Sequence, residues 1–188
     1  MEIKRANKFV EFMKKFGLYI AVGAVVLIVS LTLGITAALR DDGVPTTTPE
    51  LQFHLPMQNA TIVKDFSSTE LQENETLGQW EAHLSIDFAS DDSAVMAVLG
   101  GTVQSVTTDT LNGTTIVIAH SDGFVSTYSS LADSAQVKEG DKVEAGQKIG
   151  DASNSAGREE YLGAHLHFTL EKDGLKVDPN NYLELQNK

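Results

Sequence analysis

The sequence predicts an all-β domain carried behind a single N-terminal transmembrane α-helix. Three observations lead there. Residues 16–39 contain no charged side chain. The rest of the chain is a succession of short apolar and β-branched runs, punctuated by Asn-Gly and Asp-Gly dipeptides. Beyond the apolar run, no long segment carries the periodicity of an amphipathic helix.

Taken in order, residues 1–16 are basic and read as a cytoplasmic N-terminus. Lys4, Arg5, Lys8, Lys14 and Lys15 crowd before the apolar run, and Asp41 and Asp42 follow it after Arg40. The positive-inside rule then puts everything after the span on the outer side. Residues 17–39 are the span itself, since about 20 apolar residues cross a bilayer as a helix. The run is long for a signal peptide, and no clear A-x-A cleavage site follows. Residues 40–50 form a linker. Two prolines and three threonines in so short a stretch build no core. Ten such residues reach roughly 33 Å at most, which keeps the outer domain near the membrane surface.

Residues 51–188 are the extracytoplasmic domain. Leu51–Leu55 and Ala60–Val63 are candidate strands around Pro56. Phe66 to Gly78 is polar and reads as a surface loop with one helical turn. Trp80–Phe88, Ala94–Leu99 and Thr102–Thr107 follow as strands. Thr114–Ala119 and Phe124–Tyr128 come next, preceded by Asn112-Gly113 and Asp122-Gly123, the strongest short hairpin signals. Val137–Gly150 is a turn-strand-turn run, Asp151–Tyr161 a polar loop, and Ala164–Glu171 the last long strand.

Charge narrows the partners. The chain carries a net charge of −12, and residues 41–188 hold 8 of the 14 basic and 24 of the 26 acidic residues, a net of −16. Phosphate binding needs a positive surface, so nucleic acid is excluded as a partner. There is no cysteine, so disulfides and thiolate metal sites are excluded as well.

The chemistry lies in two short motifs. In a strand, side chains at i and i+2 share a face, so His165 and His167 project together. His83 and Asp87, at i and i+4 of a strand, also share a face, with Leu84, Ile86 and Phe88 turned to the core. Set against His167, they make two imidazoles and one carboxylate. Three protein ligands with a fourth position for water is the pattern of a catalytic zinc site. Zinc lowers the pKa of bound water to about 7. His165 would stand beside such a site as a proton acceptor or donor.

In this order, His83-x-x-x-Asp87, the Ala94–Val103 run, Val125-Ser126-Thr127-Tyr128, Val137–Gly150 and Gly163-Ala164-His165-Leu166-His167-Phe168 resemble the signature of the LytM/lysostaphin-type zinc metallopeptidases. The likeness covers roughly residues 51–184. It implies an antiparallel β-sheet core crossed by a groove, and cleavage of peptidoglycan peptides. It also implies zinc as cofactor, with His83, Asp87 and His167 as metal ligands and His165 as one catalytic histidine. The family's second catalytic histidine lies in a Tyr-x-His-Leu motif. Here the stretch is Tyr128-Ser129-Ser130-Leu131, so Ser130 stands in its place, with His120, ten residues earlier at the end of its strand, as the one candidate to replace the lost imidazole. Losing an acid/base group typically costs a factor of about 10²–10⁴ in rate. Smaller departures are Ser85, where Gly is common, and Thr169, where Glu is common.

One span, a short linker and an altered domain are further similar to the sporulation branch of that family. That likeness implies an interaction module in the forespore membrane. Its protein partner would be the stage III sporulation protein AH of the mother-cell membrane, with peptidoglycan as a further partner. An active zinc-dependent peptidoglycan endopeptidase is the alternative. A lipoyl-carrier-like reading of Val137–Gly150 lacks the modified lysine motif it needs.

Overall fold

In the computed structural model, residues 10–11, 13–18 and 51–184 are described. The chain divides into two compact units, Met1–Glu50 and Leu51–Lys188. In the first, residues 10–11 and 13–18 are helical. All but Gly17 and Leu18 of the expected transmembrane helix, and the whole 40–50 linker, lie outside the described residues. Among the described residues no helix is long and apolar enough to cross a membrane.

The second unit is a mostly antiparallel β domain, as expected. Its strands are β1 (Thr61–Lys64), β2 (Ser67–Asn74), β3 (Gln79–His83), β4 (Ile86–Ala89), β5 (Ala94–Met96) and β6 (Gly101–Asp109), followed by β7 (Gly113–His120), β8 (Phe124–Leu131), β9 (Lys142–Val143), β10 (Lys148–Asp151), β11 (Leu166–Lys172) and β12 (Leu175–Val177). The main sheet runs β1-β4-β11-β8-β7-β6-β9, with β12 paired to β11. Two small sheets, β10-β5 and β2-β3, complete the architecture.

Both Gly-bearing dipeptides turn hairpins. Asp122 and Gly123 take φ of 54° and 74°, and positive φ at both central residues is what a type I′ turn between β7 and β8 requires. Between β6 and β7, the Asp109 carboxylate accepts the backbone N–H groups of Leu111 and Asn112. Gly113 follows with φ 66°, and a Cβ there would sit 2.0 Å from Ser155 Oγ.

Alternation along the central strands splits the sheet into two faces. Ile86 and Phe88 of β4, Ile116 and Ile118 of β7, Tyr128 of β8, and Leu166, Phe168 and Leu170 of β11 turn to one side, where they bury a continuous apolar core. Asp87 and His167 stand on the opposite face, directly across from each other in the β4–β11 register. His167 is likewise across from Ser129 of β8.

Three strand assignments need correction. Phe66–Gly78 is not a loop with a helical turn: most of it is β2, paired antiparallel to β3. Its polarity reflects a two-stranded sheet exposed on both faces over Ser68–Leu71, held by backbone bonds and by Asn74, whose side chain donates to Glu81 and accepts from Leu77 N–H. Leu51–Leu55 forms no strand, although Leu51, Phe53 and Leu55 pack on the core. And His83 to Asp87 is not one strand. The chain leaves the β2-β3 sheet after His83, pivots at Leu84-Ser85, and enters the main sheet at Ile86, so Leu84 is only half-buried and stands outside the core that Ile86 and Phe88 join.

Candidate metal centre

That pivot decides how the site is assembled. His83 ends β3, Asp87 lies mid-β4 and His167 lies on the neighbouring β11. The His83 Nε2–Asp87 Oδ2 distance is 3.1 Å, and His167 Nδ1 approaches Asp87 Oδ1 to 2.7 Å. The three expected ligands thus meet, though two sheets rather than one strand bring them together. A fourth group joins them. Glu159, in a 3₁₀ turn spanning Gly157–Leu162, puts Oε2 3.0 Å from His167 Nδ1 and Oε1 3.9 Å from His83 Nε2. One donor atom each from His83, Asp87, Glu159 and His167 all lie within 4.8 Å of one another.

The cluster is buried: Asp87 is 0% exposed, Glu159 2% and His83 3%. Both Asp87 oxygens and His167 Nδ1 lack a hydrogen-bond partner despite their closeness. Close approach without hydrogen-bond alignment is what donor atoms aimed at a common third point produce. Ligands about 2.0–2.1 Å from a tetrahedral ion lie about 3.4 Å from one another, and the four contacts above scatter around that separation. The His83 ring is also oriented for ligation. Its Nδ1 donates to the Asp65 carbonyl at 3.0 Å, leaving the Nε2 lone pair on the site side, where Ser85 Oγ lies 3.0 Å away. Such carbonyl contacts commonly fix the tautomer of metal-bound histidines. Two carboxylates and two neutral imidazoles balance a divalent cation. The residues present therefore fit a zinc-like ion.

Electrostatics in the metal-free cluster follow from the same crowding. Burial pushes the His167 pKa down, but the facing carboxylates of Asp87 and Glu159 outweigh it and hold it at about 9. Burial raises Asp87 and Glu159, yet the surrounding imidazoles keep both carboxylates below their usual values. For His165, burial again lowers the pKa, while Glu159 and the Gly163 carbonyl more than compensate, so the net shift is upward.

His165 is beside the cluster, not within it. Its Nδ1 donates to Gly163 O at 2.8 Å, and its buried Nε2 is 3.7 Å from Glu159 Oε2. Ser130 is buried and has φ 62°. Its Oγ donates to the Ser153 carbonyl at 2.8 Å, and that carbonyl also accepts the His165 backbone N–H at 3.2 Å. The serine is thereby committed to holding two backbone segments together. His120 does not join the cluster either. Its Nδ1 meets Gly100 O at 3.1 Å and its Nε2 meets Ser126 Oγ at 2.7 Å. Burial lowers its pKa against the opposing pull of that carbonyl.

Glu159 was not foreseen from the sequence. Its loop is polar and strandless, and nothing in a run such as Arg158-Glu159-Glu160 marks which carboxylate turns inward. The lone available signal is its place a few residues before His165.

Residues 81–179 match the sequence profile of Peptidase family M23. Stage II sporulation protein Q of Bacillus subtilis (strain 168) is 31% identical over 137 residues, covering 68% of this chain and 48% of that protein. The chain thus spans about half the length of this relative. Among solved structures, the SpoIIQ–SpoIIIAH pore-forming complex aligns with a TM-score of 0.62 at 29% identity, over 71% of this chain and 91% of the matched one. A zinc-containing peptidase from Vibrio cholerae aligns with a TM-score of 0.58 at 26% identity, over 68% of this chain and 38% of that one.

Proposed function

The chain belongs to peptidase family M23, and from that premise we propose that it is a membrane-anchored, extracytoplasmic interaction module whose M23 domain keeps a zinc-type ion but has lost most of its hydrolytic power. In this reading residues 17–39 anchor it in the forespore membrane with the N-terminus in the cytoplasm. The outer domain docks a protein of the SpoIIIAH kind from the mother-cell membrane. The likeness to sporulation protein Q and to its complex supports the partner class. The observation that carries the loss of hydrolysis is Ser130. A buried serine whose hydroxyl is spent on the Ser153 carbonyl can neither take up a proton near neutral pH nor stabilise a developing charge as an imidazolium would.

His83, Asp87 and His167 would hold the ion, which as a Lewis acid would polarise a bound carbonyl and activate water when the fourth position is open. Without an acid/base partner at position 130, the ion would chiefly stabilise the fold that presents the docking surface. A second reading, an active zinc-dependent peptidoglycan endopeptidase, is favoured by one observation. His165 Nε2 is buried without a hydrogen-bond partner and close to the cluster, as a working base would be.

The test uses the zinc-loaded full-length chain in detergent. Mixed with the SpoIIIAH-type protein of the same organism, it should form a complex that survives gel filtration. Incubated with purified peptidoglycan, it should release no new amino groups. Release that disappears in His165→Ala, with no complex formed, would overturn the docking reading in favour of the endopeptidase.

A further inference from the structure

The Gly157–Leu162 turn breaks its own helical geometry at Glu159, where φ and ψ are −132° and 30°. The departure turns the carboxylate inward, to 2% exposure, among three histidines. A buried carboxylate is costly unless it is paired. Its placement here needs a cause, and the surrounding contacts supply one.

The turn is pinned on several sides. Gly157 N–H donates to Thr110 O and Arg158 N–H to Leu111 O, each at 3.1 Å, fixing one end to the β6–β7 turn. Gly157 is required for that approach, because a Cβ would sit 2.5 Å from Thr110 O. Arg158 Nη2 pairs with Glu81 of β3 at 3.4 Å. Tyr161 N–H donates to Thr76 Oγ1 at 3.3 Å, and Lys64 Nζ of β1 lies 5.7 Å from the centre of the Tyr161 ring. Glu159 is therefore carried on a segment held by β1, the β2-β3 hairpin and the β6–β7 turn, and does not swing in from a free loop.

Resting on the reading of this cluster as a metal site, we propose that Glu159 is its fourth protein ligand and that it occupies the position a water nucleophile or a substrate carbonyl would need. Zinc sites with four protein ligands are structural, and those with three leave a position open for chemistry. Two carboxylates with two neutral imidazoles also leave a divalent ion with no net charge in a buried setting, whereas a His₂Asp set alone would leave one positive charge. The Gly157–Leu162 turn is in this sense a built-in plug. It seals the centre independently of what stands at position 130.

The full-length chain loaded with cobalt(II) tests this by visible absorption during an azide titration, because azide enters a tetrahedral cobalt site only where a ligand position is open or readily exchanged. The expected result is wild-type ligand-field bands that azide does not move, and bands that shift on azide addition in Glu159→Ala. Zinc affinity in Glu159→Ala should fall by at least about tenfold. Glu159→Gln preserves shape and serves if the alanine variant fails to fold; it should give a smaller loss and a partial azide response. Wild-type bands that move with azide would overturn the proposal without any variant. So would variants with wild-type zinc affinity and no azide response. A wild-type chain that binds neither zinc nor cobalt would instead overturn the metal reading beneath it, and this proposal with it.

Discussion

Replacing His167 by alanine should abolish the zinc dependence of stability, whereas replacing His165 should not. The size of the effect follows from the cluster. Binding to the folded state alone, at free zinc about a thousandfold above Kd, stabilises by about 4 kcal/mol. For the unit Leu51–Lys188, an unfolding entropy of about 2 cal/mol/K per residue gives about 0.3 kcal/mol/K, so chelation should lower the wild-type Tm by about 14 °C. His167→Ala removes Nδ1 from between Asp87 Oδ1 at 2.7 Å and Glu159 Oε2 at 3.0 Å. That destabilises the metal-free protein too, because two buried carboxylates lose their cationic neighbour. The raw Tm is therefore the wrong readout, and the difference between zinc-loaded and chelated samples is the right one. Differential scanning calorimetry of the full-length chain should give about 14 °C for the wild type and for His165→Ala, and close to zero for His167→Ala. Equal loss of zinc dependence in both variants would refute the division between a ligating His167 and a neighbouring His165.

Three further outcomes follow. In the metal-free protein His167 is held at about 9, above its unfolded value, so it contributes stability that is complete below about pH 6.5 and lost as pH rises through about 9. Zinc requires the neutral ring, so zinc binding at pH 7.5 should release a proton from His167, measurable by calorimetry in buffers of different ionisation enthalpy, and the zinc-loaded Tm should not show that alkaline decline. Tyr128→Phe should cost about 1–3 kcal/mol, since the Tyr128 Oη accepts the buried Val98 N–H and bonds Ser126 Oγ; denaturant titration checks it. Ser130→Ala should cost about 1 kcal/mol through the lost bond to Ser153, whereas Ser130→Gly should regain most of that in the same measurement, because φ is 62° there and the left-handed region costs a side chain about 1–2 kcal/mol.

The sheet was legible because its signals are local. Alternation in Ile86-Asp87-Phe88 and Leu166-His167-Phe168 assigns the faces directly, and Asp122-Gly123 carries its turn geometry in its own backbone preferences. The β2-β3 hairpin was not legible, because Ser68–Leu71 is exposed on both faces and the strand has hardly any apolar residue to alternate. His83 and Asp87 do lie side by side, 3.1 Å apart, but the strand spacing is not what brings them there. The i, i+4 spacing suits one strand, but Leu84-Ser85 breaks the chain between two sheets, and the side chains converge because His83 ends one sheet as Asp87 enters the next. Glu159 lay furthest out of reach. Its inward turn depends on contacts with Thr110, Leu111, Glu81 and Thr76, all distant in sequence, and such contacts leave no periodic trace.

Ser130 and Glu159 bear on hydrolysis through different steps, and that difference makes a last prediction. Ser130 removes a proton carrier; Glu159 takes a coordination position. If both act, neither single reversal restores turnover. Ser130→His would restore the imidazole that the family carries at this position while the centre stays sealed, and histidine is among the residues that tolerate positive φ. Glu159→Ala would open the centre with no second base. Only the double variant should hydrolyse peptidoglycan, at a rate about 10²–10⁴-fold above either single one, the usual worth of a positioned acid/base group. Effects of groups that act as a unit are not additive, so the signature is the interaction between the two changes and not the size of either. Amino-group release from purified peptidoglycan by the four zinc-loaded proteins reads it directly. If Ser130→His alone matches the double variant, Glu159 does not close the site. If Glu159→Ala alone does so, position 130 is not what silences the chemistry.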